Sequence, residues 1–422
     1  MSYYRLVSLP ASKSIGARFL VASYFAGTLG ACPRFDDCDD LRVIQSALLD
    51  LLVNKEWLGV GEPPLDIHAS GTAFRFITAV AASTPGADFL VTGTPRLCAR
   101  PMKPLLDVLR KAGASIEARG EDGTGPYRVI GRRLTGGEFE IRGDVSSQFI
   151  SALMLVAPTW KGGMRLRFTT PLVSRPYAEM TAKMMERFGI PVRFSEEGVE
   201  VPEGEYLAPR GFKVEADWSA AGFFYEAVCI SRPLQVRIAD LVSPSESLQG
   251  DSATARIFSS LGIDTYFDET GAKVEASLHL PDYIEADMTH TPDLVPAIVC
   301  GCVGQGIRFR FTGVRNLRVK ESDRLEALRK EMEKLGTHLE VEEDAIEWKG
   351  GSTGVESRDI ETYDDHRIAM AFAMLPLTTG PLRIHHPEVV EKSFEDFWNQ
   401  LPPLGLECRR DGEYMVVDIA VR

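Results

Sequence analysis

Basic residues recur where helices are expected to begin. Lys13 and Arg18 lie in SKSIGAR, Arg75 in SGTAFR, Lys320 and Arg324 in RVKESDR, and Arg367 in DDHR; Arg100 and Arg175 occupy the related contexts ARPM and SRPY. A helix start leaves amide donors unsatisfied and carries the positive end of the helix dipole. Cationic side chains beside such ends suit phosphate and carboxylate ligands. Two carboxylates stand among these cations, Asp293 in THTPDL and Glu321 in KES, 28 residues apart. A carboxylate among cations stays ionised and is a candidate base; serving also as an acid requires substrate charge to oppose the cations. Residue type alone leaves caps and salt bridges open for both. The hydroxyls of Ser12, Ser14, Ser70, Thr72, Ser146, Ser147 and Ser219 add further donors, although each taken singly reads as an ordinary N-cap.

Two series of helical segments position these residues. RPMKPLLDVLRKAGASIEA, RPYAEMTAKMMERFGIPVRF, SLQGDSATARIFSSLGIDTYF and SDRLEALRKEMEKLGTHLEV each place apolar residues at helical spacing and close in glycine before a β-rich stretch. Their closing glycines, Gly113, Gly189, Gly262 and Gly336, fall 73 to 76 residues apart. A more apolar series begins at Ser12, Ser70, Ser146, Ser219, Thr291 and Asp365. These readings imply a tandem unit of about 70 to 75 residues, repeated six times, with two helices and several short strands per copy. The apolar series should be buried on most sides and the glycine-closed series should present a charged outer face.

Bulk properties narrow the class. A chain of 422 residues favours two domains over one. A formal net charge of -13 disfavours general binding to nucleic acid or anionic membrane. The seven cysteines are odd in number and scattered, which fits a reducing compartment, taken here as the cytoplasm. Cys300-Gly301-Cys302 follows an apolar run and reads as buried thiols rather than a redox or metal pair. MSYYRLVSLPASKS lacks a basic region followed by an apolar core, so no secretory or membrane-spanning segment is expected. His385 and His386 are adjacent and, on a strand, would point to opposite faces, so no metal site is expected. Nucleotide-binding glycine motifs are absent from the sequence, and serine-hydrolase chemistry, which needs its G-x-S-x-G at a sharp strand-to-helix turn, is not expected.

The segments LPASKSIGAR, SGTAFR, TGTPRLCARP, DVSSQFISAL, SRPY, HTPD, NLRVKESDRL, TYDDHRIAMAF and EKSFEDF appear in one order. Together they make the chain resemble the enolpyruvylshikimate-phosphate synthase family over almost its whole length. The resemblance implies an α/β fold, a two-domain inside-out α/β barrel with three βαβαββ-like repeats per domain, whose domains approach to enclose the ligands. It further implies a discontinuous C-terminal domain of residues 1–11 and 215–422 with phosphoenolpyruvate-binding and catalytic residues, and an N-terminal domain of residues 12–214 with shikimate 3-phosphate-binding residues. The chain should cross back near Phe212 to Asp217.

By the same resemblance, Ser146, Ser147, Ser174, Tyr177, Asp293, Asn316 and Lys320 should hold shikimate 3-phosphate, with Ser14 and Arg18 contributing. Lys13, Gly71, Arg100, Gln148, Arg324, Arg367 and Lys392 should face phosphoenolpyruvate, Gln148 touching both ligands. The substrate 5-hydroxyl would attack C2 of the enolpyruvyl group with Asp293 as base. Glu321 would deliver and later remove the C3 proton, assisted by Lys13. No metal or organic cofactor is implied, the partners are the two small substrates, and a monomer is expected.

Departures from the family pattern cluster in one place. LPGSKS becomes LPASKS at Ala11, and the common G-N-A-G-T approach becomes His68-Ala69-Ser70-Gly71-Thr72. Residues Asn54 to Asp66 look short for the strand-bearing end of the first repeat, and DWSAAGFF has Ala220 at a position usually holding a small hydroxyl residue. Two rival readings are a related transferase acting on a UDP-amino sugar and a noncatalytic metabolite-binding protein on the same scaffold. The first would carry a cysteine-bearing loop several residues before Arg100, whereas Cys98 stands two residues before it. Against the second stand Lys13, Asp293, Glu321, Arg324 and Lys392.

Overall fold

The computed structural model describes residues 4–53 and 63–420. It divides into two compact units, one formed by the residues up to Ser12 together with those from Glu215 onward, the other by Lys13–Val214. Where the chain leaves and re-enters the first unit, the two passages pair. Ser12 N–H donates to the Glu215 carbonyl at 2.7 Å, Asp217 N–H donates to the Pro10 carbonyl at 3.0 Å, and Ala11 and Ala216 form an antiparallel bridge. Ala11 sits there in extended backbone, which tolerates a Cβ where the family has glycine.

The described residues form five four-stranded sheets built on one plan. In each, the first strand lies parallel to the second, and the second is antiparallel to the fourth, which carries the third on its outer side. Tyr283–Asp287, Arg308–Thr312, Glu340–Val341 and Ala345–Trp348 make one such set, with Phe309 opposite Trp348 and Phe311 opposite Ile346. Parallel neighbours need a long crossover, and the buried helix Val295–Gln305 supplies it; the last pair is a hairpin. Phe309 and Phe311 turn inward and alternate with Arg308 and Arg310, the period of a strand with one covered face. Three of these sheets belong to the unit with Glu215–Arg422 and two to Lys13–Val214. In that second unit, the copy that begins with helices Lys13–Phe25 and Asp39–Val53 runs into residues 54–62, so the expectation of a shortened end there falls largely outside the described residues.

Inside each unit, apolar helices pack against one another. Trp218–Ile230, Val295–Gln305 and His366–Phe372 form the centre of one, and Lys13–Phe25, Gly71–Ser83 and Ser147–Val156 that of the other. Every residue of Trp218–Ile230 except Ser219 is buried, as befits a helix that is apolar around its circumference. The glycine-closed helices differ. Lys103–Lys111 buries Leu105, Leu106, Val108 and Leu109 while Lys103, Arg110 and Lys111 stay exposed. Helices inside and sheets outside make the arrangement inside-out.

Two expected helix starts shift. The helix expected at Ser219 begins at Trp218, because the Asp217 carboxylate caps it by accepting from Ala220 N–H at 2.9 Å. Ala220 therefore serves through its backbone, and the lost hydroxyl is architectural. Thr291 precedes a 3-10 turn, Pro292–Leu294, and the α-helix proper starts at Val295.

All four closing glycines take positive φ: 105° at Gly113, 81° at Gly189, 77° at Gly262 and 81° at Gly336. This left-handed stop releases the chain toward the next strand. Gly306, which ends Val295–Gln305, has φ 82° with open space at its missing Cβ, whereas a Cβ on Gly262 would overlap the His279 carbonyl oxygen. Gly306→Ala should cost about 1–2 kcal/mol of conformational strain, and Gly262→Ala should cost more, read as a lower urea midpoint. Equal midpoints for the two variants would show that the His279 contact is irrelevant.

Candidate active site

In the unit with Glu215–Arg422, Arg324 is the first residue of the helix Arg324–Lys334, whose cap Asp323 accepts from Glu326 N–H at 3.1 Å. Its side chain is 1% exposed and holds three carboxylates. Nε donates to Asp365 Oδ2 at 2.7 Å, Nη1 to Asp293 Oδ1 at 2.9 Å, and Nη2 to Glu321 Oε2 at 2.8 Å. Three more cations approach the same acids. Arg367 Nη2 lies 3.0 Å from Asp293 Oδ2, Lys320 Nζ 3.5 Å from Asp293 Oδ1, and Lys392 Nζ 3.6 Å from Glu321 Oε1. Four cations against three carboxylates leave an excess of positive charge beside two partly exposed acids.

The positions of these groups follow from local structure. Asp293 sits in the 3-10 turn before Val295–Gln305, and Glu321 and Lys320 fill the short link between the turn Arg315–Val319 and Asp323. Asn316 lies within that turn, four residues before Lys320. Asp365 caps His366–Phe372 by accepting from Arg367 N–H at 3.0 Å, and also accepts from Ser322 Oγ at 3.0 Å. Asp365 is fully buried and orients Arg324, a role the sequence reading did not assign; its only sequence signal was a carboxylate at a helix start beside Arg367.

Burial alone would raise the pKa of Asp293, but the charges of Arg367, Lys320 and Arg324 outweigh it and hold the carboxyl well below the usual range. Burial would likewise lower Arg324, and Asp365, Glu321 and Asp293 together push it upward instead. Asp293 is thus a firmly ionised carboxylate and a weak base while the cations act on it alone.

The other unit carries a second cationic centre. Ser70 caps Gly71–Ser83 by accepting from Ala73 N–H at 3.3 Å, so the hydroxyl that replaces the family's alanine serves the helix. A Cβ on Gly71 would fall 2.6 Å from Arg100 Nη1 and 2.7 Å from Arg75 Nη1. Any Cβ here would push aside the two guanidinium groups that crowd the first turn of this helix, where unsatisfied amides also point. Arg75 Nη1 donates back to the Gly71 carbonyl at 2.6 Å, and Gln148 Nε2 donates to Thr72 Oγ1 at 3.1 Å, tying in the neighbouring helix. Ser146 caps that helix by accepting from Gln148 N–H at 3.3 Å, and Ser147 is its first residue. Upstream, His68 holds φ 49° and Ala69 is exposed.

Lys13 begins Lys13–Phe25 and lies 3.3 Å from Asp40, a buried carboxylate that sequence reasoning passed over. Arg18 is buried and acts as a tie: Nη1 donates to the Ser14 carbonyl at 2.7 Å, Nη2 to the Tyr177 carbonyl at 3.0 Å, and Nε to Thr181 Oγ1 at 2.7 Å. Burial lowers its pKa to about 10, still charged at neutral pH. Ser174, in left-handed backbone at φ 53°, precedes Arg175–Arg187, with Tyr177 in the first turn. Cys98 is buried, its thiol donating to the Gly93 carbonyl at 3.6 Å, and is not a loop cysteine.

Comparison with known proteins places these features in a family. A model of EPSP synthase (3-phosphoshikimate 1-carboxyvinyltransferase) matches residues 5–401. The chain belongs to the EPSP synthase family. A 3-phosphoshikimate 1-carboxyvinyltransferase of Bacteroides fragilis is 38% identical over 94% of this chain and 95% of its own, and one of Syntrophobacter fumaroxidans is 34% identical over 94% and 96%. The fold is shared with an EPSP synthase from Acinetobacter baumannii at a TM-score of 0.69 and 24% identity, covering 95% of each chain.

Removing Arg324 would leave three carboxylates facing one another. Arg324→Met should therefore lower stability by about 3–5 kcal/mol in urea unfolding; a loss within about 0.5 kcal/mol would deny the guanidinium its anchoring role. Because the folded pKa of Asp293 is depressed, its stabilising contribution is complete above its unfolded value and disappears as pH falls through the folded one. The stability gap between the native protein and Asp293→Asn should narrow as pH falls from about pH 5 through about pH 3. A gap constant across that window contradicts the assigned charge state.

Proposed function

We propose that Asp293 and Glu321 are the acid–base pair of an enolpyruvyl transfer, with the surrounding cations holding the anionic groups of both substrates. As a member of the EPSP synthase family, the enzyme transfers the enolpyruvyl group of phosphoenolpyruvate to the 5-hydroxyl of shikimate 3-phosphate and releases phosphate. The observation that carries the assignment is the buried guanidinium of Arg324, bonded to both candidate carboxylates.

In the first step Asp293 accepts the 5-hydroxyl proton as the oxygen attacks C2, and Glu321, protonated from solvent once substrate anions offset Arg324 and Lys392, delivers that proton to C3, giving a tetrahedral ketal. In the second step the C–O bond to phosphate breaks, the departing phosphate oxygen takes the proton held by Asp293, and Glu321, assisted by Lys13, removes a C3 proton to restore the double bond. Asp293 becomes a competent base only when substrate phosphate and carboxylate groups engage Lys320, Arg324 and Arg367 and weaken their hold on it. The same cations stabilise the negative charge that grows on the departing phosphate.

Ser146, Ser147, Ser174, Tyr177, Asn316 and Lys320 are proposed to bind shikimate 3-phosphate, with Ser14 contributing and Arg18 acting through the Ser14 and Tyr177 backbone it holds. Gly71, Arg100, Gln148, Arg324, Arg367 and Lys392 are proposed to bind phosphoenolpyruvate. Support comes from the paired guanidinium groups against the amide-rich start of Gly71–Ser83. A cytoplasmic monomer without nucleic-acid or lipid partners completes the proposal; no helix of the described residues is long and apolar enough to cross a membrane.

Purified protein should release phosphate from phosphoenolpyruvate only when shikimate 3-phosphate is present, and no enolpyruvyl product from folded protein would sink the assignment. Asp293→Asn should lower kcat by about 10²–10⁴-fold. Arg100→Ala should raise the KM for phosphoenolpyruvate by about tenfold or more, the loss of a charge-assisted hydrogen bond. Unchanged kinetics in both variants would reject these roles.

A further inference from the structure

The adjacent histidines at the end of the strand Leu382–His385 do not follow the alternation expected of a strand. His386 takes left-handed backbone, φ 46°, and this turn swings its ring to the side occupied by His385. The rings stack with centroids 4.0 Å apart and an interplanar angle of 26°. Opposite them, His385 pairs with Tyr414, and His386 N–H donates to the Glu413 carbonyl at 2.9 Å, which fixes Glu413 beside both rings. One ring nitrogen of each histidine and a Glu413 carboxylate oxygen all lie within 4.8 Å of one another. The expectation that these histidines could not share a face is therefore corrected, and the cause is the single left-handed residue.

The outer groups strengthen the resemblance to a ligand set. His385 Nδ1 is 2.7 Å from Glu361 Oε2, which leaves Nε2 directed at Glu413 Oε2, 3.6 Å away. A carboxylate on the far nitrogen is the usual support of a metal-binding imidazole, since it fixes the tautomer and raises ligand basicity. His386 Nδ1 has Asp364 Oδ1 at 3.8 Å in a similar position. Two imidazoles and one carboxylate suit a borderline divalent ion with a fourth place for water; hard ions prefer all-oxygen sets and soft ones prefer thiolates. Donors around a tetrahedral ion stand about 3.4 Å apart for bonds of about 2.1 Å. Small side-chain rotations close the present spread, and Glu413, with 76% of its side chain exposed, is free to make them.

We propose that His385, His386 and Glu413 form a binding site for a zinc-class divalent cation. The ion would clip the hairpin of Leu406–Asp411 and Tyr414–Ile419 to the start of the turn Pro387–Lys392, whose last residue pairs with Glu321. The site thus lies at the base of a segment that carries one of the cations assigned above, yet its occupancy does not depend on that assignment.

Titration of the full chain with Co²⁺, followed by absorbance and calorimetry with Zn²⁺ as competitor, tests the site. The expected result is one equivalent bound in the micromolar range, without thiolate charge-transfer bands. His386→Ala and the near-isosteric Glu413→Gln should each weaken binding by more than about tenfold, and zinc should raise the unfolding temperature of the native protein but not of the variants. Binding no tighter than millimolar, thiolate bands, or unchanged affinity in Glu413→Gln with a native unfolding profile would each overturn the proposal.

Discussion

One buried guanidinium organises the helix starts of the unit that holds Glu215–Arg422. Burying Arg324 carries a large desolvation cost, and only matched carboxylates with good geometry repay it. Asp365, Asp293 and Glu321 provide that match at 2.7–2.9 Å, each on a different donor of the planar fork, an arrangement the point charge of lysine does not reproduce. Each partner belongs to a different segment: Asp293 precedes Val295–Gln305, Asp365 caps His366–Phe372, and Glu321 lies in the link before the helix that Arg324 begins. The ion cluster therefore fastens helix starts together while leaving two of its carboxylates partly open to ligand.

The same logic operates in the unit Lys13–Val214 with steric exclusion in place of ion pairing. Gly71 is held against Arg75 and Arg100 so closely that any side chain would displace them. Two guanidinium groups and the first-turn backbone amides then share a small volume, an arrangement suited to a compact dianion. In both units the apolar helices bury their flanks against each other and bring polar first turns to their ends. The repeat is thus a device for placing charge at the tips of a hydrophobic core.

Much of this was legible because it depends on periodicity. The four closing glycines marked true left-handed helix stops, and the apolar series marked the buried helices, since both follow from burial and backbone sterics. The family motifs also pointed to Asp293, Glu321, Arg324, Arg367 and Lys392, which the structure brings into one cluster. What stayed hidden were long-range pairings with no local signature. Asp365 read only as a helix start and proved also to be a partner of Arg324 from 41 residues away. Asp40 gave no sign of lying beside Lys13. Asp217 displaced Ser219 as the cap because cap identity depends on the backbone angle of entry. At His386 one left-handed residue overrode the alternation on which the strand argument rested.

The central claim is that the carboxylates gathered on Arg324 move the protons of the reaction, and isotope transfer tests it most directly. With phosphoenolpyruvate and shikimate 3-phosphate in D₂O, the product's methylene group should acquire deuterium in the native enzyme, because C3 passes through a methyl group protonated by an exchangeable acid. In Glu321→Gln, deuterium entry measured by mass spectrometry under single-turnover conditions should slow in step with phosphate release. Deuterium entry at the native rate in that variant would contradict the account.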